Sequence, residues 1–260
     1  MSLLIDTHAH LYLPEFDNDR DLVVETAVHQ NVQKIILPNI DSASIGPMID
    51  LADRFPGICF PAIGLHPTSV KENYREELER VRQELKSHAF VAIGETGIDL
   101  YWDRTHFKEQ CIAFREQLDL SLQYSLPVII HARESFAEIL EILADYKDKG
   151  LTGVFHAFSG SYTIARNIIS HGFKLGIGGA LTYKKSTLPE VIRTIGIDHL
   201  VLETDSPYLT PVPFRGKRNE SSYLHYVAET LSSITHLPLL DVARTTTTNA
   251  LHLFQPDKNA

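Results

Sequence analysis

The chain has 260 residues, 43% of them hydrophobic and 22% charged, and a formal net charge of −9 at pH 7. That length and apolar content support a large core in one unit spanning residues 1–260, a size common among α/β barrels. The negative balance argues against broad adhesion to nucleic acid or an anionic membrane and leaves room for a local basic groove. No apolar run approaches a membrane span, and the start lacks the basic and long apolar stretches of a secretory signal. A cytoplasmic, monomeric protein with no membrane and no protein partner is the expectation. Cys59 and Cys111 are the two cysteines, and neither has a Cys or His at zinc-finger spacing, so both read as small buried hydrophobes.

In chain order, short β-branched runs fall near Leu3–Asp6, Lys34–Leu37, Ile58–Ile63 and Phe90–Ile93, then near Val128–Ile130, Val154–Phe155, Phe173–Ile177 and His199–Leu202. Each is apolar throughout, as expected of strands covered on both faces of a parallel sheet. Amphipathic stretches lie between them. Phe107, Cys111, Phe114, Leu118 and Leu122 step by four and three, the period of a helix with one buried stripe. Ser135-Phe136-Ala137-Glu138 has the spacing of a capping box ahead of Ile139 and Leu140. Eight βα units in succession, with no Pro/Gly/Ser-rich linker, predict a TIM (β/α)8 barrel. A doubly wound open sheet is the alternative, but no glycine-rich phosphate fingerprint follows the first strand.

Catalytic groups of such barrels collect at the C-terminal strand ends. The first strand runs into Asp6-Thr7-His8-Ala9-His10, and residues two apart on a strand share a face, so His8 and His10 point together and Asp6 has the same parity. The third strand runs into His66, the fourth into Glu95 and Asp99, the fifth into His131, the sixth into His156 and the eighth into Glu203 and Asp205. On a closed barrel His8, His10 and Asp205 come from adjacent strands and suit one divalent metal. His131 and His156 suit a second, and Glu95, with two carboxylate oxygens, is the natural bridge between them. Two metals so placed clamp the attacking and leaving oxygens of a phosphodiester. A nitrogen and oxygen donor set without thiolate suits Zn, Mn, Co or Mg, with Zn or Mn favoured by the histidines in a purified sample.

With these residues in view, the chain resembles the TatD family of metal-dependent deoxyribonucleases, within the amidohydrolase-like hydrolases. The resemblance is carried by Asp6-Thr-His-Ala-His10, Gly64-Leu-His-Pro67, Ala92-Ile-Gly-Glu-Thr-Gly-Ile-Asp99, His131-Ala-Arg133, Phe155-His-Ala-Phe-Ser-Gly160 and Leu202-Glu-Thr-Asp-Ser-Pro-Tyr-Leu209, in order along nearly the whole chain. It implies a TIM barrel with His8, His10, Glu95, His131, His156 and Asp205 as metal ligands. It also implies exonuclease activity releasing nucleotides from the 3′ end of DNA. One departure stands out: family members commonly read Arg-Asn-Glu-Pro where this chain reads Arg218-Asn219-Glu220-Ser221. Serine in place of proline at a helix start predicts capping by the hydroxyl and a small local shift with the ligands kept.

Glu95 and Asp205 are the carboxylates expected to take part in catalysis. Substrate contacts fall to His66, Asp99, Tyr101, Arg133, Arg215, Lys217 and Arg218. A guanidinium at Arg133 suits paired bonds to phosphate, and the loop with Arg215, Lys217 and Arg218 is a basic cluster beside the site. The bland alternatives are a helix-start arginine bonded to Glu134 or Glu138, an ordinary solvated loop, and a histidine satisfied by a backbone carbonyl. Trp102, the single tryptophan, sits in the loop after Glu95, where it either stacks a base or packs the loop. The remaining histidines, such as His29, His88, His171 and His225, read as surface or packing residues. Hydrolysis of a small cyclic amide, lactone or phosphotriester is the alternative chemistry of the same barrel, and a non-catalytic metal-stabilised binding protein the third reading.

Overall fold

A computed structural model describes residues 3–256. Eight parallel strands alternate with helices: β1 Leu4–Asp6, α1 Arg20–His29, β2 Val32–Pro38, α2 Ser42–Arg54, β3 Cys59–Ala62, α3 Tyr74–Glu84, β4 Ile93–Asp99 and α4 Phe107–Tyr124. The second half follows with β5 Val128–Arg133, α5 Phe136–Ala144, β6 Gly153–Phe155, α6 Tyr162–Ser170, β7 Lys174–Ile177, α7 Leu188–Ile195, β8 Leu200–Leu202, α8 Leu224–Thr235 and α9 Leu239–Phe254. The ladders run β1-β2-β3 and β4-β5-β6-β7-β8. Parallel bridges Ile63–Ile93 and Ala9–Ser206 join the two sheets at both seams. Backbone bonds there (Gly94 N to Ile63 O, Thr7 N to Leu202 O, Asp205 N to His8 O) make the strand order cyclic, the arrangement of a TIM barrel.

Two apolar layers build it. Ile5, Ile36, Phe60, Ala62, Val91, Ile129, Val154 and Val201 form an inner cluster, and α9 closes that cluster with Ala250 and Phe254. A second layer lies between strands and helices; Phe114 and Leu118 of α4 are fully buried there, with Phe107, Cys111 and Leu122 packed against it, as the helical period predicts. At about 25 cal/mol per Å² of apolar surface, this burial is the dominant favourable contribution to folding.

Three expectations about local structure need correction. Strand β4 does not stop at Ile93 but continues to Asp99, so Glu95 lies inside the strand rather than in the loop after it. Glycine hides this in the sequence, being a poor strand former. At Gly97 (φ +142°) a Cβ would sit 2.0 Å from the His131 carbonyl oxygen, and only a bare backbone pairs that closely. Ser135 is the N-cap of α5, but its hydroxyl donates to the Ile98 carbonyl (2.5 Å) instead of closing a capping box. Ser221 opens a 3₁₀ turn, Ser221–Tyr223, with its hydroxyl buried and capping nothing.

Candidate metal centre

The C-terminal strand ends bring His8, His10, Glu95, His131, His156 and Asp205 to one place. Glu95 is at the middle, 2% exposed. Its Oε2 lies 3.1 Å from His8 Nε2 and 3.5 Å from His10 Nε2, and both of those nitrogens are 3.7 Å from Asp205 Oδ1. Its Oε1 lies 2.9 Å from His131 Nδ1 and 2.8 Å from His156 Nε2. The two groups touch, with the His8 and His156 rings stacked at 3.9 Å. Ala9 sets the local parity: its bridge to Ser206 leaves the imidazoles on either side of it pointing inward together. Asp6 does not join them. A bend at Thr7 turns its carboxylate to the seam, where it accepts from Thr204 N (2.9 Å), Thr204 Oγ1 (2.7 Å) and His8 N (3.3 Å).

The outer ring nitrogens decide which lone pairs face inward. His131 Nε2 lies 2.9 Å from Asp99 Oδ2, so in a neutral ring that nitrogen carries the hydrogen and Nδ1 is the lone pair turned towards Glu95. His10 Nδ1 faces the Pro38 carbonyl (3.2 Å) and the Tyr12 hydroxyl (2.8 Å), which again leaves Nε2 as the inward lone pair. His66 is the opposite case. Its Nε2 is 3.3 Å from Glu95 Oε1, close enough to pass for a ligand. The Thr68 backbone N–H donates to its Nδ1 (3.1 Å), so a neutral His66 carries its hydrogen on Nε2 and presents a donor to the centre.

Electrostatics follow from burial and from this crowding. Burial holds the His8 imidazole well below its usual range, with His156 beside it adding to the effect, so His8 is neutral, the state a metal ligand needs. Burial also lowers His66. For Glu95 burial pushes upward, but the surrounding imidazoles outweigh it and hold the carboxyl well below the usual range. Burial pushes Asp205 up to about 6 and Asp6 up to about 7. For His131 and His156 burial opposes the charged form, yet the carboxylates of Asp99 and Glu95, and of Glu95 and Glu203, raise both.

The donor set fits divalent cations. His8 Nε2 and His10 Nε2 lie 3.1 Å apart beside two carboxylates, while His8 Nδ1 on the other side of the ring is buried without a hydrogen-bond partner, a convergence of nitrogen and oxygen donors that suits a divalent cation. Among the described residues no lysine or arginine pairs with Glu95 or Asp205 to supply that charge. The sequence marked Glu203 only as a strand-end carboxylate, without a role, and Tyr12 not at all. Glu203 is 1% exposed, accepts from Ala157 N (2.6 Å) and lies 3.5 Å from His156 Nδ1, in space that exists because Gly176 has no side chain. Tyr12 has the parity of His10, the one signal that could have found it.

The substrate candidates are placed unevenly. Asp99 lies behind His131 and its other oxygen accepts from the Tyr101 and Trp102 amides. Arg133 bonds neither Glu134 nor Glu138; its guanidinium lies 3.9 Å over the Tyr101 ring. Arg215 sits over Tyr183 (4.4 Å) and Lys217 over Phe214 (5.6 Å), both exposed. Arg218 is committed elsewhere, in a two-pronged pair with Asp19 (2.8 and 2.7 Å).

A parallel barrel with imidazoles and carboxylates at its C-terminal strand ends defines a metal-dependent hydrolase. The chain belongs to the family described as TatD related DNase, whose model matches residues 5–255. It is 37% identical to a Bacillus subtilis protein called uncharacterized metal-dependent hydrolase YabD, over 97% of this chain and 99% of that protein. A solved structure of YjjV, a TatD homolog from Escherichia coli, superposes with a TM-score of 0.91 at 32% identity, covering 97% of this chain and 98% of that one. The fold alone is shared with a TatD family hydrolase from Entamoeba histolytica (TM-score 0.83, 23% identity, 98% and 99% covered). Among the described residues no helix is long and apolar enough to cross a membrane.

Proposed function

We propose that the chain hydrolyses phosphodiester bonds of DNA, releasing nucleotides from the 3′ end of a single strand. His8, His10 and Asp205 would hold one divalent cation and His131 and His156 a second, with Glu95 between them. The observation that carries this reading is the division of one carboxylate between two donor groups, Oε2 facing His8 and His10 and Oε1 facing His131 and His156. Bound there, Zn, Mn or Mg would supply Lewis-acid polarisation and bring the pKa of water towards neutrality.

The residues supply the rest. Asp205, with its side chain 13% exposed against 2% for Glu95, is the less buried of the two carboxylates and would take the proton of the attacking water. His66 Nε2–H donates to a phosphate oxygen. Arg133, Arg215 and Lys217 neutralise the strand at the mouth.

The test is release of label from a 3′-labelled single strand, with dihydropyrimidine and lactone substrates in parallel. Chelation should abolish release and divalent metal restore it. Turnover of the small cyclic substrates with no nucleotide released would overturn the reading in favour of the amidohydrolase alternative. A metal-loaded protein inactive on every substrate would favour a binding protein.

A further inference from the structure

Tyr101 and Trp102 lie just beyond β4 with 51% and 68% of their surfaces exposed. Their rings meet edge to face, with centroids 4.9 Å apart. Such exposure removes loop packing as the reason for the indole, since a packing residue would be covered. Other large apolar side chains, such as Leu22 and Leu240, are as exposed, but these two rings touch one another beside a cation and form a contiguous flat surface that suits a planar ligand. The Arg133 guanidinium lies 3.9 Å over the Tyr101 ring and 5.2 Å from the Trp102 ring. Among the described residues it has no carboxylate partner, whereas its neighbour Arg104 pairs with Glu134. A guanidinium stacked on an aromatic face with no carboxylate partner among the described residues, in a chain of net charge −9, keeps its outward N–H groups available to a phosphate.

The patch is also held in register with the centre. Asp99 Oδ1 accepts from Tyr101 N (3.0 Å) and Trp102 N (3.2 Å), while its Oδ2 holds His131 Nε2 at 2.9 Å. One side chain therefore fixes the aromatic loop and a candidate ligand together, and Arg133 follows His131 by two residues on β5. We propose that Trp102 and Tyr101, with Arg133 beside them, form a platform on which an unpaired base of the DNA strand stacks while Arg133 holds the adjoining phosphate. This rests on the nuclease reading and names the part of the site that selects single strands, because a base inside a duplex has no free face to offer.

Trp102 is the only tryptophan, so its fluorescence reports the platform alone. The probe is a short phosphorothioate-linked oligothymidylate added to metal-loaded protein, with a base-free sugar-phosphate oligomer of equal length for comparison. The platform predicts quenching by the first and little by the second. Trp102→Ala should weaken binding of the labelled oligothymidylate about 5- to 150-fold, and Trp102→Phe should keep most of the affinity, as removal and retention of one stacking face require. Equal quenching by both oligomers, or wild-type affinity in Trp102→Ala, would overturn the platform. If protein that cuts DNA gives that result, the platform alone fails; if wild-type protein cuts no DNA with any metal, the nuclease reading itself fails.

Discussion

Asp99 Oδ2 lies 2.9 Å from His131 Nε2, on the far side of an imidazole whose Nδ1 faces Glu95 at 2.9 Å. A carboxylate behind a histidine fixes its tautomer and orientation and raises its basicity as a ligand. Asp99→Asn should therefore lower metal affinity about 10- to 100-fold while leaving the fold intact. Competition with a chelator of known affinity measures it; unchanged affinity would confine Asp99 to holding the loop at Tyr101 and Trp102.

The closeness of β4 and β5 should be unforgiving at Gly97. An alanine there would place its Cβ 2.0 Å from the His131 carbonyl oxygen at φ +142°. Strain and displacement of a candidate ligand strand should cost about 3 kcal/mol or more, lowering Tm by about 6 °C or more. Gly196 (φ +74°, ψ −167°), with open space around it, is the comparison: Gly196→Ala carries backbone strain of about 1–3 kcal/mol but no clash, and should cost less than Gly97→Ala. Thermal unfolding of the two variants checks both values.

Ser221→Pro should stabilise. Ser221 occupies the first position of its 3₁₀ turn, its amide makes no hydrogen bond among the described residues, and the preceding Glu220 is extended (φ −152°, ψ 156°). That is the backbone a proline accepts and imposes on its predecessor. Restricting the unfolded chain should add about 0.4–1 kcal/mol, read as a rise in Tm of about 1–4 °C. A fall in Tm would mean the ring does not fit the buried site.

The pair between Arg218 and Asp19 should act on stability rather than on substrate. The Arg218 guanidinium holds the Asp19 carboxyl below its ordinary value of 3.8. A lowered carboxyl stabilises the fold above the unfolded value, and that contribution disappears as pH falls through the folded one. Arg218→Met, which keeps an apolar stem over Phe16, should thus cost about 0.5 kcal/mol at pH 7, less in high salt, with the difference from wild type shrinking below pH 3.8. Its effect on KM for DNA should be smaller than that of Arg133→Met. Denaturant melts against pH, and a KM comparison, test the two halves.

The strand count and the six inward groups were legible because each follows a short apolar run, and a barrel turns the ends of such runs into one mouth. The bland reading of the outlying histidines also describes His88, which pairs with Glu84, and His171 and His225, which bond the carbonyls of Asn167 and Ser222. What stayed hidden depends on geometry that one chain of letters does not carry. Glycines concealed the second half of β4. The donor role of His66 is set by a single amide, that of Thr68. Asp99 reaches His131 across 32 positions, and Glu203 reaches the back of His156 only because β7 has a glycine opposite. Arg218 read as a phosphate contact because its partner, Asp19, lies 199 positions away.

Metal content measured alongside nucleotide release, for wild type and Glu95→Ala, decides whether Glu95 joins two metal sites. If one carboxylate joins two donor groups, dialysed wild type should hold about two divalent cations per chain, and Glu95→Ala should lose at least one together with nearly all release of nucleotide. Glu95→Ala with full metal content and full activity would rule out a shared Glu95.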